Sequence, residues 1–286
     1  MKKILLTVAS AIMLFSACKK EDNKTNPEPN PGGNGNSNPP QEIVVPETNV
    51  SLVNKLTGSL CGPCGSWGWQ GFEQIMTLNG KNAVYMGTYS QNFVAQLFIT
   101  QVATDMDAMF RSEGYPTFVA NGTAMLDRTN NVNIESELDK VDAAIAAHSA
   151  SPVYVNSGLR VSDSANIMTV ETRTKFFQEV GGDLYLAVYL TEDKVKGYQA
   201  SHADGANTQH HHVLRAAGKL DGSSKAESFG YKINTSSTTA ANTVLDNKFT
   251  FDISGYNKEN LEATVVVWRK VGVRYKFINA YSNKIK

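Results

Sequence analysis

The stretch Lys55-Leu56-Thr57-Gly58-Ser59-Leu60-Cys61-Gly62-Pro63-Cys64-Gly65-Ser66-Trp67-Gly68-Trp69 decides the fold. It joins a strand-like run, Val50–Leu56, to a segment predicted as helix after Cys64. A disulfide across so short a loop removes little unfolded-state entropy, so a chemical role for Cys61 and Cys64 is a better use of the pair than a stabilising one. At a strand end and the first turn of a helix, the first cysteine meets unpaired N–H groups and the positive helix end, which favour thiolate. Cys61 would then attack a substrate disulfide, and Cys64, one turn later and more buried, would resolve the mixed disulfide. Pro63 at the helix start costs no hydrogen bond and fixes the intervening backbone. Gly62 leaves room for a substrate chain. Zinc is the rival reading, because a CxxC supplies half of a structural site; the sequence offers no second CxxC and no nearby His.

Outward from the motif, Gly114-Tyr115-Pro116-Thr117 leads into a strand-like Thr117–Ala120. Between lie a predicted strand, Ala83–Tyr89, and a long predicted helix, Phe93–Phe110. Beyond lies a helical stripe, Ile134, Leu138, Val141 and Ile145, with acidic residues at its start. That alternation predicts an α/β layer. Cys-Gly-Pro-Cys followed by helix, then Tyr-Pro-Thr before an apolar strand, resembles the thioredoxin superfamily. The resemblance implies a cis Pro116 facing the cysteines, with the neighbouring backbone binding a substrate peptide as an added strand. It makes Tyr115 the variable residue that touches substrate and puts Gly62, Pro63 and Thr117 in the same binding rim. Leu60 and Lys55 depart from the pattern, standing where the family usually carries Trp and a buried Asp. No acid is therefore placed there to relay a proton to Cys64. Gly65, Gly68 and Gly71 recur at every third position, each weakening a helix by about 1 kcal/mol, so this helix is expected to be soft or closely packed. Trp67 and Trp69 read as core, or as an apolar rim for a peptide.

The chain has 286 residues, enough for about two domains, and Pro152 marks the expected boundary: residues 49–150 as the α/β domain and 151–286 as the second. Past Pro152 the text becomes β-branched and aromatic runs separated by turn residues: Val153–Val161, Ile167–Phe177, Leu184–Leu190, Phe249–Ile253, Leu261–Trp268 and Val273–Ala280. These predict an all-β sandwich of the immunoglobulin/fibronectin-like kind. On a strand, His210 and His212 would project to one face and could bind a metal with His202, but no acidic or Cys partner is placed to complete a site. The preferred reading is a structural or interface role with Arg215. No metal and no cofactor is expected.

Residues 1–17 read as an export signal, a basic start and an apolar run shorter than the ~20 residues of a membrane-spanning helix. Leu14-Phe15-Ser16-Ala17-Cys18 resembles a bacterial lipobox, which makes Cys18 the lipid-bearing residue. Residues 18–48 hold six of the nine prolines among Asn, Gly and Ser and predict a disordered tether. Lys19-Lys20-Glu21-Asp22 looks like the export tag of surface lipoproteins, and equally like linker charge. Equal counts of 27 basic and 27 acidic residues, with no concentrated basic patch, set nucleic-acid binding aside.

Val53-Asn54-Lys55-Leu56-Thr57-Gly58 and His210-His211-His212-Val213-Leu214-Arg215, together with the lipobox and tether, resemble the Omp-twenty-eight-related outer-membrane lipoproteins. The resemblance implies a lipid-anchored outer-membrane protein with a thioredoxin-like domain and a sandwich domain. The expected function is that of an exported thiol–disulfide oxidoreductase acting on protein or peptide disulfides. It would need a separate electron donor or acceptor protein. The alternative keeps the fold and uses it as a binding module for adhesion or ligand capture, with Cys61–Cys64 a static disulfide.

Overall fold

Strand β1 (Ser51–Thr57) is buried along its whole length. Alternation sends Leu52 and Leu56 to one face of the sheet and Val53 to the other. The computed structural model describes residues 42–89, 93, 98–111, 114–125 and 134–284. The expected signal, Cys18 and the tether up to residue 41 lie outside the described residues.

After β1 come the short helix α1 (Gly62–Gly65), α2 (Trp67–Asn79), β2 (Ala83–Tyr89), α3 (Gln101–Phe110), β3 (Thr117–Ala120), β4 (Thr123–Ala124) and α4 (Ile134–Ser149). β2 lies parallel to β1, whereas β3 is antiparallel to it and turns into β4. Beneath one face, Leu52, Leu56 and Met86 pack with Val102, Met106 and Phe110 of α3. On the other, Val53 and Phe118 pack with Phe72 and Ile75 of α2 and with Leu138, Val141 and Ile145 of α4. Of the helix expected over Phe93–Phe110, residues 94–97 lie outside the described ones, and the helix that is described begins at Gln101. Thr100 caps it, its hydroxyl accepting from Ala103 N–H at 3.2 Å, which gives a local stop to a pattern that reads as continuous.

The remaining elements are strands: β5 (Val155–Ser164), β6 (Ile167–Phe176), β7 (Val180–Gly181), β8 (Asp183–Glu192), β9 (Val195–Gly197), β10 (Thr208–His210), β11 (Val213–Ala217), β12 (Lys219–Leu220), β13 (Tyr231–Lys232), β14 (Thr238–Thr239), β15 (Val244–Asp252), β16 (Leu261–Val271) and β17 (Arg274–Lys284). The described chain is thus β-rich with few helices. Its largest sheet runs β17-β16-β8-β11-β2-β1-β3-β4, with β13 added beside β8. A four-stranded sheet, β12-β15-β6-β5, lies apart from it in hydrogen bonding.

The large sheet crosses the position expected as a domain boundary. Gly87 of β2 pairs with Val213 of β11, and Gly87 N–H donates to His212 C=O at 2.7 Å. Alternation along β8 and β16 explains how one sheet serves two cores. Leu184, Leu186, Val188 and Leu190 join Leu261, Ala263, Val265 and Val267 against Val155, Val170, Phe249 and Phe251 of the four-stranded sheet. The intervening Ala187, Tyr189, Val266 and Trp268 belong to the core under α3. Strands with both faces covered read as near-continuous apolar runs, and Val265-Val266-Val267-Trp268 is such a run.

The junction near Pro152 is also held from the N-terminal side. Residues 42–48, expected as the last of the tether, run along β5: Asn156 Nδ2 donates to the carbonyls of Pro46 and Thr48 at 3.0 and 2.9 Å. A Cβ on Gly158 would fall 2.1 Å from the Val44 carbonyl oxygen, so glycine admits this close approach. Among the described residues no helix is long and apolar enough to cross a membrane.

Candidate functional site

Cys61 and Cys64 form a disulfide where β1 gives way to helix. Cys61 is the N-cap residue of α1, and Cys64 N–H points at its Sγ from 3.3 Å. Pro63 stands in the first turn of α1, where its missing N–H leaves no bond unmade. Cys64 is fully buried and Cys61 half-buried, so the two residues differ in access to solvent.

Pro116 reaches the motif from the far side of the sequence. The Tyr115–Pro116 bond is cis, and a Cβ on Gly68 would lie 2.3 Å from Pro116 Cγ and 3.2 Å from the Pro63 carbonyl oxygen. The every-third-residue glycines are therefore close-packing positions. Gly68 meets Pro116, Gly71 meets Leu138 and Phe118, and Gly65 meets Gln199 and Ala200.

The residues expected in a substrate rim differ in what they expose. Pro63 is exposed and Gly62 half-buried, whereas Tyr115, Pro116 and Thr117 are buried. The Tyr115 hydroxyl donates to the Asp107 carboxylate at 2.7 Å and accepts from Arg111 at 3.0 Å, while its ring meets Phe93 edge-on at 5.8 Å. The Tyr115 hydroxyl is thus engaged within the fold. Burial raises the Asp107 carboxyl above its ordinary range, against the opposing pull of Tyr115 and Arg111. Thr117 closes the turn by donating its hydroxyl to the Gly114 carbonyl. Leu60, beside Cys61, is exposed, as is Phe93, whose carbonyl accepts from Leu60 N–H at 2.8 Å.

Lys55 is buried behind the motif, its Nζ 4.8 Å from the Trp69 ring centroid and 5.1 Å from that of Phe72. Burial pushes its ammonium down to about 7, with Glu73 pulling the other way. Trp69 is core: its Nε1 donates to Glu73 at 2.7 Å, and its ring meets those of His202, His210 and His211 at 4.5, 5.5 and 6.3 Å. Trp67 is half-buried and tilts against Phe118.

His210 and His212 do not share one strand face. β10 ends at His210, and His212 sits at φ 50° before β11, a left-handed residue that turns the chain. His210 is fully buried, shares a 2.6 Å hydrogen bond between its Nδ1 and the Tyr89 hydroxyl, and is pushed down to about 4, chiefly by burial. Among the described residues no group of three His, Cys, Asp or Glu side chains is arranged to hold a metal. Arg215 instead bonds Glu192 at 2.7 Å in a buried pair.

Sequence reasoning missed the segment Tyr198–His202, which follows β9 and lies over the motif. Ala200 N–H donates to Ser59 C=O at 2.8 Å, and Gln199 Nε2 lies 3.2 Å from Cys61 C=O and 3.3 Å from Gly58 C=O. Only Gly65, too tight for a side chain, hinted that something approaches there.

No protein-family model matches the chain, and no curated protein matches it. Among solved structures, HBP35 of Porphyromonas gingivalis is similar with a TM-score of 0.63, over 83% of this chain and 76% of that one, at 15% identity. At that identity the likeness shows a related fold alone. A penta-heme cytochrome c552 from Thermochromatium tepidum matches 44% of this chain and 38% of its own at 10% identity, and its TM-score of 0.23 carries no argument.

Proposed function

We propose that this chain is an exported, lipid-anchored thiol–disulfide oxidoreductase of the outer membrane, acting on protein or peptide disulfides through Cys61 and Cys64. In this reading residues 49–150 are a thioredoxin-like domain and residues 151–286 an immunoglobulin/fibronectin-like sandwich, as the resemblance to Omp-twenty-eight-related lipoproteins implies. Lipid on Cys18 supplies the membrane hold. The observation that carries the activity is the pairing of a half-buried Cys61, whose Sγ accepts from Cys64 N–H, with a fully buried Cys64, and the packing of Pro116 on Gly68 of the helix that follows, α2.

In the reduced pair, the Cys61 thiolate attacks one sulfur of a substrate disulfide, and the other substrate sulfur leaves as thiolate and takes up a proton. Cys64 gives up its proton and attacks Cys61 Sγ. The second substrate sulfur departs, leaving one substrate reduced by two electrons and the Cys61–Cys64 disulfide formed. A dithiol on a separate protein returns the pair to its reduced state. Run backwards, the same steps oxidise a substrate dithiol. Gly62 and Pro63 of the motif, with Tyr115, Pro116 and Thr117, form the substrate-binding rim.

The test uses the full chain carrying Cys18→Ser, equilibrated with glutathione at defined ratios. A pair that exchanges reversibly between about −120 and −270 mV supports the oxidoreductase, and Cys64→Ala should then accumulate a mixed disulfide on Cys61 with a disulfide peptide. A pair that resists reduction below about −300 mV supports the binding module with a static disulfide. Leu60 and Lys55, standing where a Trp and a buried Asp would serve the exchange, favour that second reading.

A further inference from the structure

The turn that presents Cys61 is tied at nearly every peptide, and part of that tie comes from outside the strand–helix unit. Cys61 N–H donates to Gly58 C=O at 3.2 Å and Leu60 N–H to Phe93 C=O at 2.8 Å, both from the N-terminal half. The Ser59 and Cys61 carbonyls are held by the segment between β9 and β10, Ala200 N–H donating to the first and Gln199 to the second. Gln199 is buried, and its two amide protons are shared among three carbonyls: Cys61 at 3.2 Å, Gly58 at 3.3 Å and Ala200 at 3.3 Å. Gly65 admits the segment, because a Cβ there would fall 2.0 Å from the Ala200 carbonyl oxygen and 2.9 Å from Gln199 Nε2. Gly62 faces Ser201 Oγ, 3.1 Å from where its Cβ would be.

We propose that Gln199 is a positioning residue for the Cys61–Cys64 couple, holding the Cys61 carbonyl so that the opened thiolate stays at the end of α1. This rests on the reading of the pair as a reversible redox couple. The physical argument concerns the reduced form. When two molecules of glutathione reduce the S–S bond, leaving as glutathione disulfide, the covalent link that held Cys61 over Cys64 N–H is gone. The backbone hold from Gln199 remains, and the positive end of its amide lies beside the residue that becomes negative. A clamp that stabilises the reduced thiolate more than the disulfide makes the couple more oxidising. Ordering a glutamine side chain opposes folding, and its hydrogen bonds to the motif must offset that cost.

The test compares the full Cys18→Ser chain with the same chain carrying Gln199→Met, which keeps the volume and removes the donors, or Gln199→Glu, which sets a carboxylate against the same carbonyls. The expected result for Gln199→Met is a shift toward the disulfide of about tenfold in the glutathione equilibrium, about 30 mV. Alkylation of Cys61 should move to higher pH, with a several-fold slower rate at pH 7. Gln199→Glu should shift both readouts further in the same direction. A purely structural Gln199 would lower the melting temperatures of oxidised and reduced protein equally and leave the equilibrium unmoved; that result overturns the inference while sparing the redox reading. A parent chain whose pair does not exchange with glutathione overturns both. If Gln199→Met does not fold, Gly65→Ala lifts the segment by its added Cβ, and it must give the same direction of shift for the inference to stand.

Discussion

The Nζ of Lys55 lies 4.8 Å from the centroid of the Trp69 ring, inside the molecule, with Glu73 and the imidazole of His210 as its charged or titratable neighbours. Its ammonium is held down to about 7 chiefly by burial, against an unfolded value near 10.5. Between those values the unfolded chain binds more protons than the folded one, so stability rises with pH through that window. Below about 7 both states are charged and the full penalty of burying the ammonium is present. The span corresponds to on the order of 3–5 kcal/mol. Lys55→Met should therefore be more stable than the parent at pH 7, by a margin that shrinks toward pH 10. Urea unfolding of both proteins from pH 6 to 10 measures this, and a margin that does not change with pH would remove Lys55 as the cause.

Gly68→Ala should destabilise by about 1–3 kcal/mol, although alanine is ordinarily the better helix former by about 1 kcal/mol. The added Cβ would meet Pro116 Cγ at 2.3 Å, and a proline ring has no flexible end to move aside. Gly255→Ala is the control, an exposed glycine with nothing within 4 Å of its Cβ position, and should stay within about 0.5 kcal/mol of the parent. Equal stability of the two variants in thermal or urea unfolding would mean that Pro116 does not bear on Gly68.

Asn279 is fully buried and joins three parts of the chain. Its Nδ2 donates to the Thr48 carbonyl at 3.0 Å, Asn49 Oδ1 at 3.1 Å and the Val155 carbonyl at 3.0 Å, and its Oδ1 accepts from Val50 N–H at 2.9 Å. Asn279→Leu leaves these partners buried and unmet, at about 1–3 kcal/mol for each group that water cannot reach. A loss above about 3 kcal/mol is expected, with faster amide exchange at Val50. A loss below about 1 kcal/mol would show that the junction is held by packing alone.

Much of the site is legible in the sequence because its geometry is local. Cys61, Pro63 and Cys64 lie within one turn, and the capping of Cys61 by Cys64 N–H follows from a helix starting there. The glycines at 65, 68 and 71 leave a soft helix or close packing open in the sequence, and their neighbours in the structure decide for packing. The partners of those glycines are not legible. Pro116 could be argued from a resemblance, Gln199 and Ala200 from nothing in their surroundings, for a glutamine in a polar loop carries no local mark of burial. The later start of α3 has a related reason: apolar spacing continues through Phe98, but Phe98 stacks on Tyr89 and Thr100 caps a helix that begins at Gln101.

By itself the sequence determined the order of strands and helices before Pro152, the β character after it, and the cysteine pair at a strand-to-helix step. These follow from periodicity and backbone preference, which act over a few residues. Tertiary structure alone decided that β2 and β11 join one sheet, that residues 42–48 lie along β5, that Lys55 is buried under Trp69, and that Gln199 holds the Cys61 turn. Each of those depends on which distant edge or surface a segment meets, and that choice is made by the burial of whole faces rather than by the residues at the contact.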